Sequence, residues 1–274
     1  MGAEPINASF VNRRLTLAAV AVLRWRPLRR LWKHPGGVLF GPKFCIKTGY
    51  FTTLAEAHMM QYVAAHTSIP VPRIFCAFAH RERVYIVMER IDGDYAGNGW
   101  VRRTEESKAR ILGQLRDMVK QLRSIQPPNK RTVSNIVGGP IADPRLPTQH
   151  FWGPFSSIDD FHLQLRRNFP LDIDPSDPRG DLLELLAFYR QPFADTVLTH
   201  GDLSSTNILV KGDDVVGIID WETAGWFPAY WEYACAWNVN PQNEFWQQEV
   251  DKFVTPMPYE LKMESIRRKY FGDF

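Results

Sequence analysis

The feature of this sequence that most restricts its fold is a pair of short apolar segments near residue 210. Residues 207–210 (NILV) and 215–219 (VVGII) are apolar, and the polar turn KGDD separates them. Two apolar strands joined by a Gly-Asp turn are typical of a β-hairpin. Such a hairpin brings Asn207, at the start of the first strand, close to Asp220, which directly follows the second. The sequence therefore predicts two oxygen-bearing side chains at one edge of a buried hairpin.

The polar loop before the hairpin contributes His200 and Asp202. An Asp-x4-Asn spacing followed by a strand-terminal Asp is the arrangement used for phosphoryl transfer in the kinase fold. Mg²⁺ keeps several waters, so one amide oxygen and one carboxylate suffice beside the phosphates. Asp202 then remains available to orient and deprotonate an attacking hydroxyl. Asp and Asn are also ordinary turn formers, but the preceding His200 and the later Asp220 favour the functional interpretation.

Residues 200–202 (HGD) with Asn207, followed by IIDWE at residues 218–222, resemble the signature of the aminoglycoside phosphotransferase and choline kinase family. Residues 219–226 (IDWETAGW) are similar to the fungal branch of that family. The resemblance implies an α+β, two-lobed protein-kinase-like fold with a small β-rich N-lobe and a mainly helical C-lobe. It also implies ATP and Mg²⁺ as cofactors, with Asn207 and Asp220 as metal ligands. His200 would brace the loop and Asp202 would act on the acceptor hydroxyl.

The segment upstream supplies a candidate lysine and glutamate. Residues 34–48 contain two short strands, and the second carries Lys47 at its end, where the kinase fold has the lysine that reaches the nucleotide phosphates. A solvated strand end is the alternative for Lys47. A helix is predicted over residues 53–66, and the resemblance implies that its Glu56 pairs with Lys47. Thr53 and Glu56 also fit a capping box, which is a purely local alternative.

Residues 84–90 (VYIVMER) read as a buried strand that becomes polar at its end. In kinase-like folds such a strand leads into the hinge between the lobes, whose backbone binds adenine. The resemblance therefore implies that Glu89 and Ile91 contact the nucleotide. No GxGxxG loop is present, and the N-lobe is short.

The N-terminus is strongly basic: residues 1–33 carry seven arginine and lysine residues and one acid, a net charge of +6 in a chain of net charge +3. Residues 15–23 are apolar and predict a helix. A mitochondrial presequence or a membrane-surface helix is one interpretation. We favour a helix that packs on the small lobe and shows its arginines to water, in a cytoplasmic protein. The expected organisation is a basic extension over 1–33, a nucleotide-binding N-lobe over 34–91 and a C-lobe over 92–274.

The rest of the chain reads as mainly helical. Helices are predicted over residues 111–125, 157–167 and 181–190, a loop over 127–155, and helical structure over 243–270. The three cysteines lack metal-ligand spacing and are expected to be reduced thiols. No apolar run is long enough to span a bilayer.

The sequence predicts a small-molecule kinase that transfers the γ-phosphate of ATP to a hydroxyl. A protein kinase needs a long activation segment after the metal-binding Asp, whereas Pro228 follows Asp220 within eight residues. The five tryptophans after residue 220 could bind a cationic acceptor, but core packing is the favoured interpretation. The acidic residues between 172 and 181 are interpreted as a solvated loop. The alternative function is a catalytically weak or inactive kinase-fold scaffold. Nucleic-acid binding would rest on the N-terminal arginines alone and is not expected. The oligomeric state is open.

Overall fold

The computed structural model describes residues 3–25, 37–143, 146, 150–174, 176–238 and 244–272. The chain forms two compact units, Met1–Ile111 with Thr206–Glu222, and Leu112–Ser205 with Thr223–Phe274. The first unit extends beyond residue 91 and includes the hairpin near residue 210, which the sequence-based division assigns to the C-lobe. Backbone hydrogen bonds explain the difference: Asp94 and Tyr95 pair with Val210 and Leu209 of the hairpin, and the Ile218 amide of the hairpin donates to the Pro70 carbonyl at 2.8 Å.

The first unit is built on a four-stranded antiparallel sheet. Its strands are β1 (Val38–Phe40), β2 (Phe44–Gly49), β3 (Ile74–His80) and β4 (Arg83–Glu89), in the order β1-β2-β4-β3. The helix α1 (Phe10–Arg24) precedes the sheet, and α2 (Leu54–His66) connects β2 to β3. The predicted helix over 53–66 and the predicted strands around Gly41 and over 84–90 are therefore present, whereas β3 was not predicted.

The N-terminal segment is part of this first unit. Val20 and Leu23 of α1 are buried in one apolar cluster with side chains of the sheet, including Leu39, Ile46 and Phe78. Before the helix, Ile6 exchanges two backbone hydrogen bonds of 2.8 and 2.9 Å with Ala77 of β3. The predicted helix over 15–23 thus exists and packs on the sheet.

The predicted hairpin is present as β9 (Ile208–Lys211) and β10 (Asp214–Ile218), which pair antiparallel with an irregularity between Val215 and Gly217. The short strand β5 (Asp94–Tyr95) adds to β9, so that the small sheet has the order β10-β9-β5. Gly212 turns the chain between the strands with a φ of 64°, which glycine adopts without steric cost.

The second unit is mainly helical. Its helices are α4 (Ile158–Leu165), α5 (Gly180–Tyr189), α6 (Tyr230–Trp237), α7 (Glu244–Val250) and α8 (Pro258–Phe271), and most of α3 (Glu105–Ser124) also belongs to it. Two short strand pairs complete it, β6 (Ile141–Ala142) with β7 (Phe151–Trp152) and β8 (Val197–Thr199) with β11 (Gly225–Phe227).

Two expectations for this unit need correction. Residues 127–155 are not wholly loop, because β6 and β7 lie in this segment. The predicted helical tail is interrupted between Val250 and Pro258, since a proline fits the first turn of a new helix but not a helix interior; the start of that prediction, residue 243, lies outside the described residues. The core of the unit is a large cluster rich in aromatic side chains from α4, α5 and α6.

Cys45, Cys76 and Cys235 are all buried, and none of the three forms a disulfide. Among the described helices, none combines the length and apolar character that crossing a membrane requires.

Candidate active site

The first unit contains a cavity of about 970 Å³. Its wall includes residues of β1 and β2, the end of β4 with the segment that follows it, and the two ends of the hairpin. Six predicted site residues line this single cavity: Lys47, Glu56, Glu89, Ile91, Asn207 and Asp220. Residues that are up to 173 positions apart in sequence are thereby brought to one site.

The Lys47 ammonium is in contact with three carboxylates in the wall of the cavity. Its Nζ lies 2.9 Å from Glu56 Oε1, 2.6 Å from Asp220 Oδ1 and 2.9 Å from Glu222 Oε2. Burial disfavours the ammonium, yet the three carboxylates together raise the pKa of Lys47 above its usual range. Lys47 therefore stays charged, and it is surrounded by more negative charge than it can neutralise.

Glu56 is almost fully buried on the first turn of α2. Burial raises the pKa of Glu56 to about 7, against the opposing effect of the Lys47 ammonium. The capping-box alternative finds no support in the hydrogen bonds of α2, because the Thr53 side chain makes no capping bond and the Glu56 carboxylate accepts a hydrogen bond from Lys47. A buried carboxylate held in this way fixes the position of the lysine.

At the end of β4 and directly after it, two backbone amides already form hydrogen bonds to neighbouring segments. The amide of Glu89 donates to the Arg73 carbonyl at 2.9 Å, and the amide of Arg90 donates to the Lys43 carbonyl at 3.2 Å. Ile91 is the first residue beyond these strand contacts, and it lines the cavity. The thiol of Cys45, whose pKa burial raises to about 11, donates to the Glu89 carbonyl at 3.7 Å. A polar backbone edge thus borders an otherwise apolar part of the wall.

Asn207 and Asp220 lie at the same edge of the hairpin. The Ile219 amide donates to the Asn207 carbonyl at 2.9 Å, which ties the start of β9 to the residue before Asp220. Asp220 has a φ of 64°, a left-handed conformation that Asp tolerates better than most residues. Next to it, the buried Trp221 donates from Nε1 to the Ile218 carbonyl at 2.9 Å. The backbone on both sides of Asp220 is therefore fixed, and its carboxylate faces the cavity.

His200 and Asp202 belong to the second unit. His200 is fully buried, and its Nδ1 accepts a hydrogen bond of 3.1 Å from the Asp202 amide. Gly201 between them has a φ of 80°, and a Cβ at this position would lie 3.0 Å from the Thr223 carbonyl oxygen. His200 thus contributes to the shape of a tight loop in which a residue with a side chain at position 201 would be strained.

Sequence reasoning missed a residue that holds this loop. The carboxylate of Glu232, on α6, accepts hydrogen bonds from the amides of His200 at 2.7 Å and Gly201 at 3.0 Å, and it is buried. Arg123, which is half-buried, donates to the Thr199 hydroxyl at 3.1 Å and to the Ala229 carbonyl at 3.1 Å. The sequence does contain a hint of this role: Glu232 is the single acidic residue in the apolar helix YWEYACAW. A buried acid needs a hydrogen-bond or charge partner, so its position predicts a structural contact.

Glu222 is the second missed residue. It belongs to the IDWE motif, but its contact with Lys47 depends on the turn at residues 221–223, which is a short 3₁₀ helix. Among the described residues, no group of three or more His, Cys, Asp and Glu side chains has the arrangement of a self-sufficient metal site.

Two side-chain groups considered as ligand sites have structural roles. Of the five tryptophans after residue 220, Trp221, Trp226, Trp231 and Trp246 are buried, in agreement with core packing, and Trp237 is half-buried. The acidic residues of the segment 172–181 form ion pairs with basic side chains, and these contacts include Asp172–Arg190, Asp177–Arg179 and Asp181–Lys269. These observations favour core packing for the tryptophans and ion pairing for the acidic residues over ligand binding.

This architecture is the protein-kinase-like fold of aminoglycoside phosphotransferases. The structure of aminoglycoside phosphotransferase APH(4)-Ia matches over 88% of this chain and 81% of that chain, with a TM-score of 0.58 and 16% identity. A thermostable mutant of APH(4)-Ia in a ternary complex with ADP and hygromycin B matches over 87% and 81%, with a TM-score of 0.57 and 15% identity. The gentamicin complex of APH(2'')-IIa matches over 89% and 85%, with a TM-score of 0.53 and 12% identity.

The sequence itself defines the family. The model of the phosphotransferase enzyme family matches residues 52–255, so the chain belongs to this family. The resemblance stated from the motifs around Asp202 and Asp220 is thereby confirmed at the level of the family; the fungal branch stays a prediction. None of the curated proteins compared with the chain matched it.

Proposed function

We propose that the protein is an ATP- and Mg²⁺-dependent phosphotransferase that moves the γ-phosphate to a hydroxyl of a small molecule. The observation that carries this proposal is the Lys47 ammonium, held by the buried Glu56 in the wall of a cavity of about 970 Å³. A buried, fixed cation beside an open cavity is suited to bind an anion such as a polyphosphate. Membership in the phosphotransferase family supports the same chemistry.

The nucleotide base would lie against the segment after β4. Adenine needs one acceptor and one donor from a backbone edge, and the Glu89 carbonyl and Ile91 amide are the candidates in the cavity wall. Apolar lining residues such as Val38, Met88 and Leu209 would contact the faces of the ring. The phosphates would then extend toward Lys47.

The donor set fits a divalent cation. Three carboxylates surround one ammonium, so the phosphate end of the cavity has an excess of negative charge that a polyphosphate alone would increase. Asn207 and Asp220 offer an amide oxygen and a carboxylate oxygen, which are ligands that Mg²⁺ prefers. Bound Mg²⁺ would neutralise charge on the transferring phosphates.

Asp202 is the candidate general base. Its backbone is fixed by the His200 ring, and Glu232 fixes the preceding two amides. A positioned carboxylate can orient the acceptor hydroxyl and take its proton as the phosphoryl group is transferred in line. His200 has a positioning role in this scheme, since its ring nitrogen is occupied by the Asp202 amide.

The acceptor class is a small molecule. Only the 3₁₀ turn at residues 221–223 and the short β11 separate Asp220 from α6, which leaves no activation segment of the kind that docks a peptide substrate. The APH(4)-Ia and APH(2'')-IIa structures contain hygromycin B, gentamicin or streptomycin, which motivates testing hydroxylated amines first. The fold itself is compatible with many acceptors.

A screen of hydroxylated metabolites for ATP-dependent phosphorylation tests the proposal, beginning with amino sugars, choline-like amines and amino alcohols. Once an acceptor is found, Asp202→Asn should lower its turnover by about 10²–10⁴-fold while nucleotide binding is retained. Equal turnover by the variant would exclude Asp202 as the base. Nucleotide binding without turnover of any acceptor would instead support the alternative, a kinase-fold scaffold.

A further inference from the structure

The outer face of α1 carries large apolar side chains that the described part of the chain leaves exposed. Val11, Leu15 and Val22 are 61%, 64% and 55% exposed, and Trp25, directly after the helix, is 64% exposed. With the exposed Ala18 they recur every three or four residues, which places them on one helix face. We call Val11, Leu15, Ala18, Val22 and Trp25 the α1 strip.

The opposite face of α1 already anchors the helix. Val20 and Leu23 are buried against the sheet. Ser9 caps the helix by accepting a hydrogen bond from the Asn12 amide at 3.2 Å. Arg13 donates to the Ala79 carbonyl of β3 at 3.2 Å, with its guanidinium 4.9 Å from the Phe78 ring. The α1 strip is therefore not needed to hold the helix in place, which leaves its exposure without a structural explanation.

Charge distinguishes this surface from an ordinary apolar patch. The exposed Arg14 and Arg24 lie on the same helix, and the guanidinium of Arg14 stacks 5.0 Å from the Phe10 ring. Residues 1–33 have a net charge of +6, whereas the remaining chain has a net charge of −3. Arg14 is three residues from Val11 and four from Ala18, so it borders the strip, and Arg24 is exposed in the last turn. A helix with an apolar strip and exposed arginines is typical of segments that lie in the interface of an anionic bilayer.

We propose that the α1 strip docks on the surface of an anionic lipid bilayer, with the helix lying in the plane of the interface. Fifteen residues of helix are about 22 Å long at 1.5 Å per residue, which suits an interfacial segment and is short of the ~30 Å hydrocarbon core. A second copy of the chain is a less suitable occupant, because pairing two such surfaces would bring two equally basic segments together. The proposal is independent of the phosphotransferase activity.

Co-sedimentation of the full chain with large vesicles tests it. Vesicles of phosphatidylcholine alone are compared with vesicles that contain phosphatidylserine as a minor component. The intact protein should bind the anionic vesicles and lose most of that binding at high salt, since the attraction is screened. Arg14→Gln with Arg24→Gln should weaken binding by roughly fivefold for each arginine.

The apolar contribution is tested by Leu15→Glu with Val22→Glu, which should lower binding by at least about tenfold. Val101→Glu is the matched control. This valine is 72% exposed in the 3₁₀ turn before α3, so the substitution also replaces an exposed apolar side chain by a carboxylate, but outside the α1 strip. Thermal melting checks that all variants are folded. Equal binding by the Leu15/Val22 variant, or no preference for anionic vesicles, would overturn the proposal. So would a dimer in sedimentation that this variant abolishes without any vesicle binding.

Discussion

At the scale of single residues, the site depends on how many carboxylates share Lys47. Glu56 is buried and fixed, whereas the side chains of Asp220 and Glu222 are each 40% exposed. A ligand can therefore replace Asp220 and Glu222 as the partner of Lys47. The two displaced carboxylates remain in contact with water, so no buried charge is left unpaired. Glu222 occupies a position from which it would compete with a nucleotide phosphate for the ammonium.

Glu222→Gln should tighten the binding of ATP in the absence of metal, because it removes a negative charge next to Lys47. Because the Glu222 side chain is 40% exposed and water screens its charge, its ion pair with Lys47 contributes about 1 kcal/mol at most, and the expected change in Kd is about two- to fivefold. Fluorescence titration with EDTA present measures it, with the exposed Glu105→Gln on α3 as the control. Unchanged or weaker metal-free binding would show that Glu222 does not compete for Lys47.

At the scale of elements, the loop after β8 depends on a glycine. Both Gly201 and Gly212 have positive φ, but only Gly201 approaches another backbone: a methyl group added there would lie 3.0 Å from the Thr223 carbonyl oxygen, whereas the space around Gly212 is open. A comparison of substitutions at the two glycines therefore separates the free-energy cost of a left-handed residue from the additional cost of a steric clash.

Gly212→Ala should lower the free energy of unfolding by about 1 kcal/mol, the cost of a left-handed alanine. Gly201→Ala should lower it by about 1–2 kcal/mol more, because the Thr223 backbone must also move. Urea unfolding of the two variants and the intact protein measures the difference. Equal losses would mean that the loop accommodates the added methyl group and that the close approach is not a constraint.

At the scale of the whole molecule, a buried histidine makes stability depend on pH. His162 is fully buried; burial, aided by Arg166, lowers its pKa to about 3. Its Nε2 lies 2.9 Å from the Tyr230 hydroxyl, and its Nδ1 has no hydrogen-bond partner among the described residues. Between about pH 6.5 and 3 the unfolded chain takes up a proton that the folded protein does not, so stability falls as the pH falls.

His162→Phe removes this titration while keeping an aromatic ring in the core. Its free energy of unfolding should depend less on pH than that of the intact protein between about pH 6.5 and 4.5, by up to about 1.4 kcal/mol per pH unit. His66→Gln, at an exposed position on α2, serves as the control and should leave the dependence unchanged. Parallel pH profiles for the intact protein and the His162 variant would contradict the assignment.

The parts of the fold that were predictable are those in which the signal is local. The hairpin follows from two apolar runs and a turn, and Asn207 and Asp220 follow from their places at its strand ends. Lys47 was expected at the end of its strand, but β2 continues to Gly49. Glu232 and the pairing of β5 with β9 were not predicted, since their partners lie more than 30 and more than 110 residues away. The sequence also did not reveal that one face of α1 is apolar and exposed while the other is buried, because Leu and Val occur on both faces.

The most direct test of the central claim, that the cavity around Lys47 binds Mg-ATP, is calorimetric titration with and without Mg²⁺. The intact protein should bind ATP more tightly with metal. Lys47→Met should weaken binding by about ten- to a hundredfold, the value of a charge-assisted hydrogen bond. Asp220→Ala should abolish the metal dependence, while the exposed control Asp117→Asn should behave as the intact protein. Absence of Mg-ATP binding to the folded protein, or an Asp220→Ala variant with unchanged metal-dependent affinity, would contradict the account.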